Sequence, residues 1–234
     1  MNVLITGVGT GIGKATCLHF LKQGFTVVGV LRNQKHLKGL VTVAGSLSSN
    51  LKIITADLEN SNFSDKVFKQ LKELNISSID VLLNIAGVLD TTAVSDFEVT
   101  SVNKVMMVNF VSPSMLISRL LPLIEANKPG NIVNITSMSG FPGSVRFPSL
   151  AVYGASKAAL GSLTESLAAE FTENGVHINA LAIGSVNTEM LQKAFPDFES
   201  SISPSDMAEY IYTFATIGYK FHNGKVLSVA ITNP

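Results

Sequence analysis

Short runs of consecutive apolar, largely β-branched residues alternate along this chain with longer stretches whose apolar positions recur at helical spacing. The runs at 3–6, 26–31, 51–56, 79–85, 131–136, 177–183 and 226–229 predict seven strands. Several are apolar without alternation, the pattern of strands covered on both faces. Helices predicted at about 12–24, 62–75, 100–126, 152–174 and 204–218 fill most of the gaps. This order predicts an α/β fold: a doubly wound sheet, mainly parallel, with helices on both faces. Pro, Gly and Ser cluster between elements, and no repeat or composition shift divides the chain, so residues 1–234 read as one domain. The least regular stretches, 140–149 and 188–204, follow carboxyl ends of strands, where ligands bind in this architecture.

Composition narrows the partners. Seventeen basic residues balance 17 acidic ones, so no excess charge points to nucleic acid or an anionic membrane, and small-molecule chemistry fits better. The single cysteine, Cys17, cannot form an internal disulfide, and His19, His36, His177 and His222 are scattered, so no metal site is assigned. The chain enters an apolar strand at once, without a basic leader; with the unpaired cysteine, this leads to the expectation of a cytoplasmic protein. The tract 105–124 approaches membrane-spanning length but contains Asn109, Ser112, Pro113, Ser114, Ser118 and Arg119, and reads as a buried helix.

Two motifs carry chemistry. Between the first strand and first helix lies Thr6-Gly-Val-Gly-Thr-Gly-Ile-Gly13, where glycines permit a tight turn, close approach of backbone to a pyrophosphate, and close packing of helix on strand. The helix amino terminus then faces the phosphates. Farther on, Tyr153 and Lys157 stand four residues apart, which places a phenol and an ammonium on one helical face. A fixed cation beside a tyrosine favours the phenolate, so this pair is expected to have a lowered phenol pKa.

These motifs together resemble the short-chain dehydrogenase/reductase family over about residues 2–190. The glycine turn is similar to T-G-x-x-x-G-x-G. Leu83-Asn-Ile-Ala-Gly87 resembles the family's N-N-A-G segment, with Leu83 in place of its first Asn. Asn109 matches the mid-helix Asn, and Asn131-Ile-Val-Asn-Ile-Thr-Ser137 matches the strand that ends in the catalytic Ser. The resemblance implies a Rossmann-like fold and a NAD(P)-dependent oxidoreductase interconverting a carbonyl and a secondary alcohol. Ser137 would donate a hydrogen bond to the substrate oxygen, with Ser139 as its rival; Tyr153 would give or take the proton. Lys157 would lower the tyrosine pKa and bind the nicotinamide ribose, and Asn109 would support a water-linked proton path to Lys157. Cofactor contacts are implied at Thr6, Gly7, Gly9, Thr10, Gly11, Ile12, Gly13, Asn33, Leu58, Asn84, Ala86, Gly87, Gly184, Val186 and Thr188. Asp57 would lie beside adenine or cap the following helix.

The second strand ends in Leu31-Arg32-Asn33, with no carboxylate for the ribose diol of NAD, so NADP(H) is favoured over NAD(H) and Arg32 is the candidate 2′-phosphate ligand. Thr10 stands where many NADP-preferring relatives carry a second base, Ile183-Gly184 replaces Pro-Gly, and Val229-Ala-Ile-Thr-Asn-Pro234 replaces V-D-G-G. Met138, Phe141, Val145, Phe147, Met190, Leu191 and Phe195 are candidates for an apolar substrate pocket, while Arg146 would meet an anionic group or remain a solvated loop charge. Helices at about 100–126 and 152–174 carry more apolar surface than one sheet covers, which predicts a homodimer, with a tetramer as a further step. The alternative function is a catalytically silent NADP(H)-binding scaffold or redox sensor.

Overall fold

The computed structural model describes residues 1–126, 128–171 and 173–231. Seven strands form one parallel sheet: β1 (Asn2–Thr6), β2 (Thr26–Leu31), β3 (Leu51–Thr55), β4 (Val81–Asn84), β5 (Gly130–Ser137), β6 (Val176–Ile183) and β7 (Val226–Val229). Their order is β3-β2-β1-β4-β5-β6-β7, so the chain winds outward one way from β1 and then the other way from β4. Strand direction reverses nowhere because each connection crosses over a face of the sheet, mostly as a helix. The order reverses between β1 and β4, and the crevice above their carboxyl ends is the expected ligand site.

Successive strand residues point to opposite faces, and this fold makes a core of each. On one face Leu4, Val28, Ile54, Leu82, Ile132 and Ile178 pack under α3 (Phe63–Glu73), α5 (Ser112–Glu125) and α6 (Ala151–Glu170). On the other, Val3, Ile5, Val27, Leu83, Val133 and Leu181 pack under α1 (Gly11–Lys22), α2 (Leu37–Ala44) and α8 (Pro204–Ile217). Most of these strand side chains are completely buried. Each aliphatic side chain so buried contributes about 1.5–3 kcal/mol relative to exposure. Cys17 belongs to the second core, and burial pushes its thiol pKa up to about 12.

Three local features differ from the reading of the sequence. The helix expected at 100–126 is α4 (Val99–Met106), a π-helical segment (Met107–Val111) and then α5. The widened turn carries Asn109 into a fully buried position. The short α2 and α7 (Glu189–Ala194) were not foreseen: α2 carries Gly39, Val41, Thr42 and Val43, all weak helix formers, and α7 spans under two turns. The helix expected to reach 174 ends at Glu170, and residue 172 lies outside the described residues, as do 232–234 of the altered carboxyl terminus. By length and composition alone, the helical stretch Val99–Glu125 could cross a membrane, but its Leu116, Leu120 and Ile124 are buried against the sheet.

Candidate active site

The glycine turn is shaped by close approach. Gly7 has φ +80°, donates its N–H to the Val30 carbonyl at 2.8 Å, and would place a Cβ 2.9 Å from Ala86 Cα. A Cβ on Gly13 would collide with the Gly7 carbonyl. Thr6 is buried beneath the turn, where its Oγ1 accepts the N–H groups of Ile85 at 3.0 Å and Ala86 at 3.1 Å. It therefore fixes the loop after β4 from below. The Thr10 side chain does not cap α1, which leaves the helix's first N–H groups facing the crevice.

Above the turn is a cavity of about 330 Å³. Gly7, Gly9, Thr10, Gly11, Ile12 and Gly13 line one wall; Arg32, Asn33, Asp57 and Leu58 form one end; Ala86, Gly87, Tyr153, Lys157 and Thr188 continue towards the other. An elongated dinucleotide fits this arrangement: close-approach backbone and free helix N–H groups for the pyrophosphate, with cations at one end and a phenol and an ammonium at the other. Lys35 and His36 also line the cation-bearing end. Neither is among the residues expected to touch the cofactor, although the run Arg32-Asn-Gln-Lys-His36 concentrates basic side chains and donors. Arg32 Nη1 lies 3.4 Å from Glu59 Oε1, and the same oxygen is 3.0 Å from Lys104 Nζ. Asp57 lines the cavity and also accepts the Glu59 N–H at 3.0 Å, so it shapes the turn after β3.

Four of the residues expected to touch the cofactor do not line this cavity. Thr6 is below the turn, as described. Asn84 is buried off the cavity and donates to Asn134 Oδ1 at 2.8 Å, while Asn134 donates to Thr164 Oγ1 at 2.9 Å, forming a polar chain that joins β4, β5 and α6. Gly184 and Val186 line a second, adjoining cavity of about 260 Å³.

Ser137, Tyr153 and Lys157 converge where β5 ends beside α6. Ser137 Oγ accepts the Ser139 N–H at 3.2 Å and also hydrogen-bonds Tyr153, which singles out Ser137 over Ser139 as the tyrosine's neighbour. Lys157 is buried, donates from Nζ to the Ile135 carbonyl at 2.9 Å, and lies 5.9 Å from the centre of the Tyr153 ring. Asn109 Oδ1 accepts the Val88 N–H at 2.8 Å, and its Nδ2 donates to the Val88 carbonyl at 2.9 Å and to Ser156 Oγ at 3.0 Å. Gly87 sits between: a Cβ there would be 3.1 Å from Asn109 Oδ1 and 3.3 Å from Lys157 Nζ.

The electrostatics correct one expectation. Burial raises the Tyr153 pKa above its ordinary value, and the Ser137 hydrogen bond only partly opposes this. Burial also lowers Lys157, to about 8. The ammonium is not among the groups that lower the phenol; both have left water, which disfavours phenolate and ammonium alike.

The second cavity is lined by Ser137, Tyr153 and mostly apolar side chains, including Met138, Phe147, Met190, Leu191 and Phe195. Phe141, Val145 and Arg146 do not line it; the Arg146 guanidinium donates to the carbonyls of Ser139 and, at 3.1 Å, Phe141. Tyr153 borders both cavities.

A model of the short chain dehydrogenase family matches residues 1–199. The chain belongs to that family. Similar proteins include an uncharacterized oxidoreductase of Staphylococcus aureus strain MW2, 28% identical over 209 residues that cover 89% of this chain and 87% of the relative. One from Staphylococcus epidermidis is 30% identical over 189 residues, covering 81% and 79%. Among solved structures, 4-hydroxyisoleucine dehydrogenase complexed with NADH superposes with a TM-score of 0.86 at 28% identity, covering 98% of this chain and 96% of that one. ElxO with NADP bound superposes with a TM-score of 0.85 at 31% identity, with the same coverage. This short-chain dehydrogenase is accordingly an NAD(P)-dependent dehydrogenase/reductase.

Proposed function

We propose that residues 1–234 work as one NADP(H)-preferring domain that interconverts a carbonyl and a secondary alcohol, chiefly as a reductase. The observation that carries this reading is the position of Tyr153, which borders both the dinucleotide-shaped cavity and the adjoining apolar one and is hydrogen-bonded to Ser137. A bound nicotinamide supplies or accepts the hydride. Ser137 and Tyr153 hold the substrate oxygen between two hydroxyl groups, and Tyr153 delivers the proton as that oxygen gains electrons. Lys157 binds the nicotinamide ribose and orients it from its anchor on the Ile135 carbonyl. Asn109 fixes the Val88 segment and Ser156 on α6, keeping the water-linked route to Lys157 in register.

The preference for NADP(H) is supported by Arg32, Lys35 and His36 at one end of the cavity and by Leu31-Arg32-Asn33, which puts no carboxylate at the end of β2. Among similar structures one binds NADH and another NADP, so the distinction rests on this chain's own residues. A cytoplasmic homodimer completes the proposal, with half-exposed Met115 on α5 against the second copy.

The test is Tyr153→Phe. The variant should bind NADPH as the wild type does, followed by fluorescence, while kcat with a carbonyl panel falls by at least about a hundredfold. Near-normal turnover would remove Tyr153 from the chemistry. Wild-type protein that binds NADPH but turns over no carbonyl or alcohol would favour the scaffold or redox-sensor reading.

A further inference from the structure

The apolar cavity beside Tyr153 has one place for a polar group. Its walls include Leu89, Phe147, Leu150, Leu191, Phe195 and Phe198, and among the described residues no charged side chain lines it. Of its other hydroxyl-bearing residues, Thr188 accepts the Leu191 N–H at 3.2 Å, Ser185 hydrogen-bonds Ser200 at 3.4 Å, and Ser139 stands next to Ser137, whose Oγ accepts its N–H at 3.2 Å. Neighbouring charges are engaged elsewhere: Arg146 binds loop carbonyls, Lys157 binds the Ile135 carbonyl, and Glu189 lines the other cavity. Ser137, Ser139 and Tyr153 therefore gather the available hydroxyl groups at one end of an otherwise oily space.

Resting on the reductase reading, we infer that the substrate is a neutral ketone with a single polar group and an aryl or branched alkyl arm. A buried space of about 150 Å³ holds benzene, so 260 Å³ corresponds to on the order of ten non-hydrogen atoms. Phe147, Met190 and Phe198 are substantially exposed, so the apolar surface continues outward and a somewhat longer arm would still be covered on one side. The carbonyl carbon takes a hydride from NADPH and the carbonyl oxygen takes the Tyr153 proton, which solvent then restores to the phenolate, so ketone, NADPH and one proton give the secondary alcohol and NADP⁺. A carboxylate at the far end of the same skeleton would lose its hydration without gaining a cation, a strong penalty in such surroundings.

The experiment compares benzylacetone with its para-carboxylate, which shares the skeleton and adds only the charge. With NADPH, kcat/KM for the neutral ketone should exceed that for the acid by about a hundredfold. Leu191→Arg, on the solvent-facing short helix that borders the cavity, should narrow that ratio at least tenfold; its retained NADPH binding would show that it is folded. Calorimetry with NADP⁺, where no reduction occurs, should show the same order of binding. A wild-type preference for the acid, equal use of both, or no binding of the neutral ketone would overturn the substrate class. Neutral-ketone binding with no turnover would instead sustain that class and overturn the reductase reading.

Discussion

Replacing Lys157 by Met should weaken catalysis while relieving a buried charge, and the two effects can be separated by pH. Burial lowers the folded-state pKa from 10.5 to about 8, so at pH 7 the ammonium remains charged in both states but is penalised in the folded one. The penalty is full below pH 8. Between pH 8 and 10.5 the unfolded chain keeps a proton that the folded protein has released, so folding becomes more favourable as pH rises. The difference of about 2.5 pK units corresponds to roughly 3 kcal/mol over that interval. Lys157→Met has no such titration. At pH 7 it escapes the penalty but leaves the Ile135 carbonyl without its donor, a loss of about 1–3 kcal/mol, so its net stability should be equal to or modestly above wild type. The diagnostic quantity is the difference between the two proteins in urea unfolding from pH 7 to 10.5, because other titrations cancel. Wild type should gain roughly 3 kcal/mol on the variant across this range. A difference that does not change with pH would refute the argument from burial.

Two further outcomes follow from charge and surface. Arg32→Ala should lower the NADPH/NADH ratio of kcat/KM by about tenfold or more, whereas Glu59→Gln, which removes an anion 3.4 Å from Arg32, should raise it a few fold; movement of neither ratio at fixed salt would place the 2′-phosphate elsewhere. Light scattering at micromolar concentration should give twice the monomer mass, and Met115→Glu should shift the protein towards monomer without changing NADPH affinity per chain. A wild-type monomer would dispose of the proposed α5 interface.

The strand-and-helix order was legible because it follows from short-range chemistry. Continuous apolar runs such as 131–136 require cover on both faces, and the glycines after β1 permit a close approach that larger residues would block. The four-residue spacing of Tyr153 and Lys157 likewise determined, before any packing, that one helical face carries both groups. What the spacing could not supply was their surroundings. Only the tertiary structure decided that both are buried, which reverses the expected shift of the phenol, and that Lys157 is anchored on β5. It also sent Asn84 into a polar chain with Asn134 and Thr164, turned Asn109 inward through a π segment, and brought Lys35 and His36 to the crevice. Sequence periodicity tells which side of its own element a residue occupies. Desolvation, hydrogen-bond partners and the division of a crevice into two cavities depend on what other elements bring to that side, often from dozens of residues away.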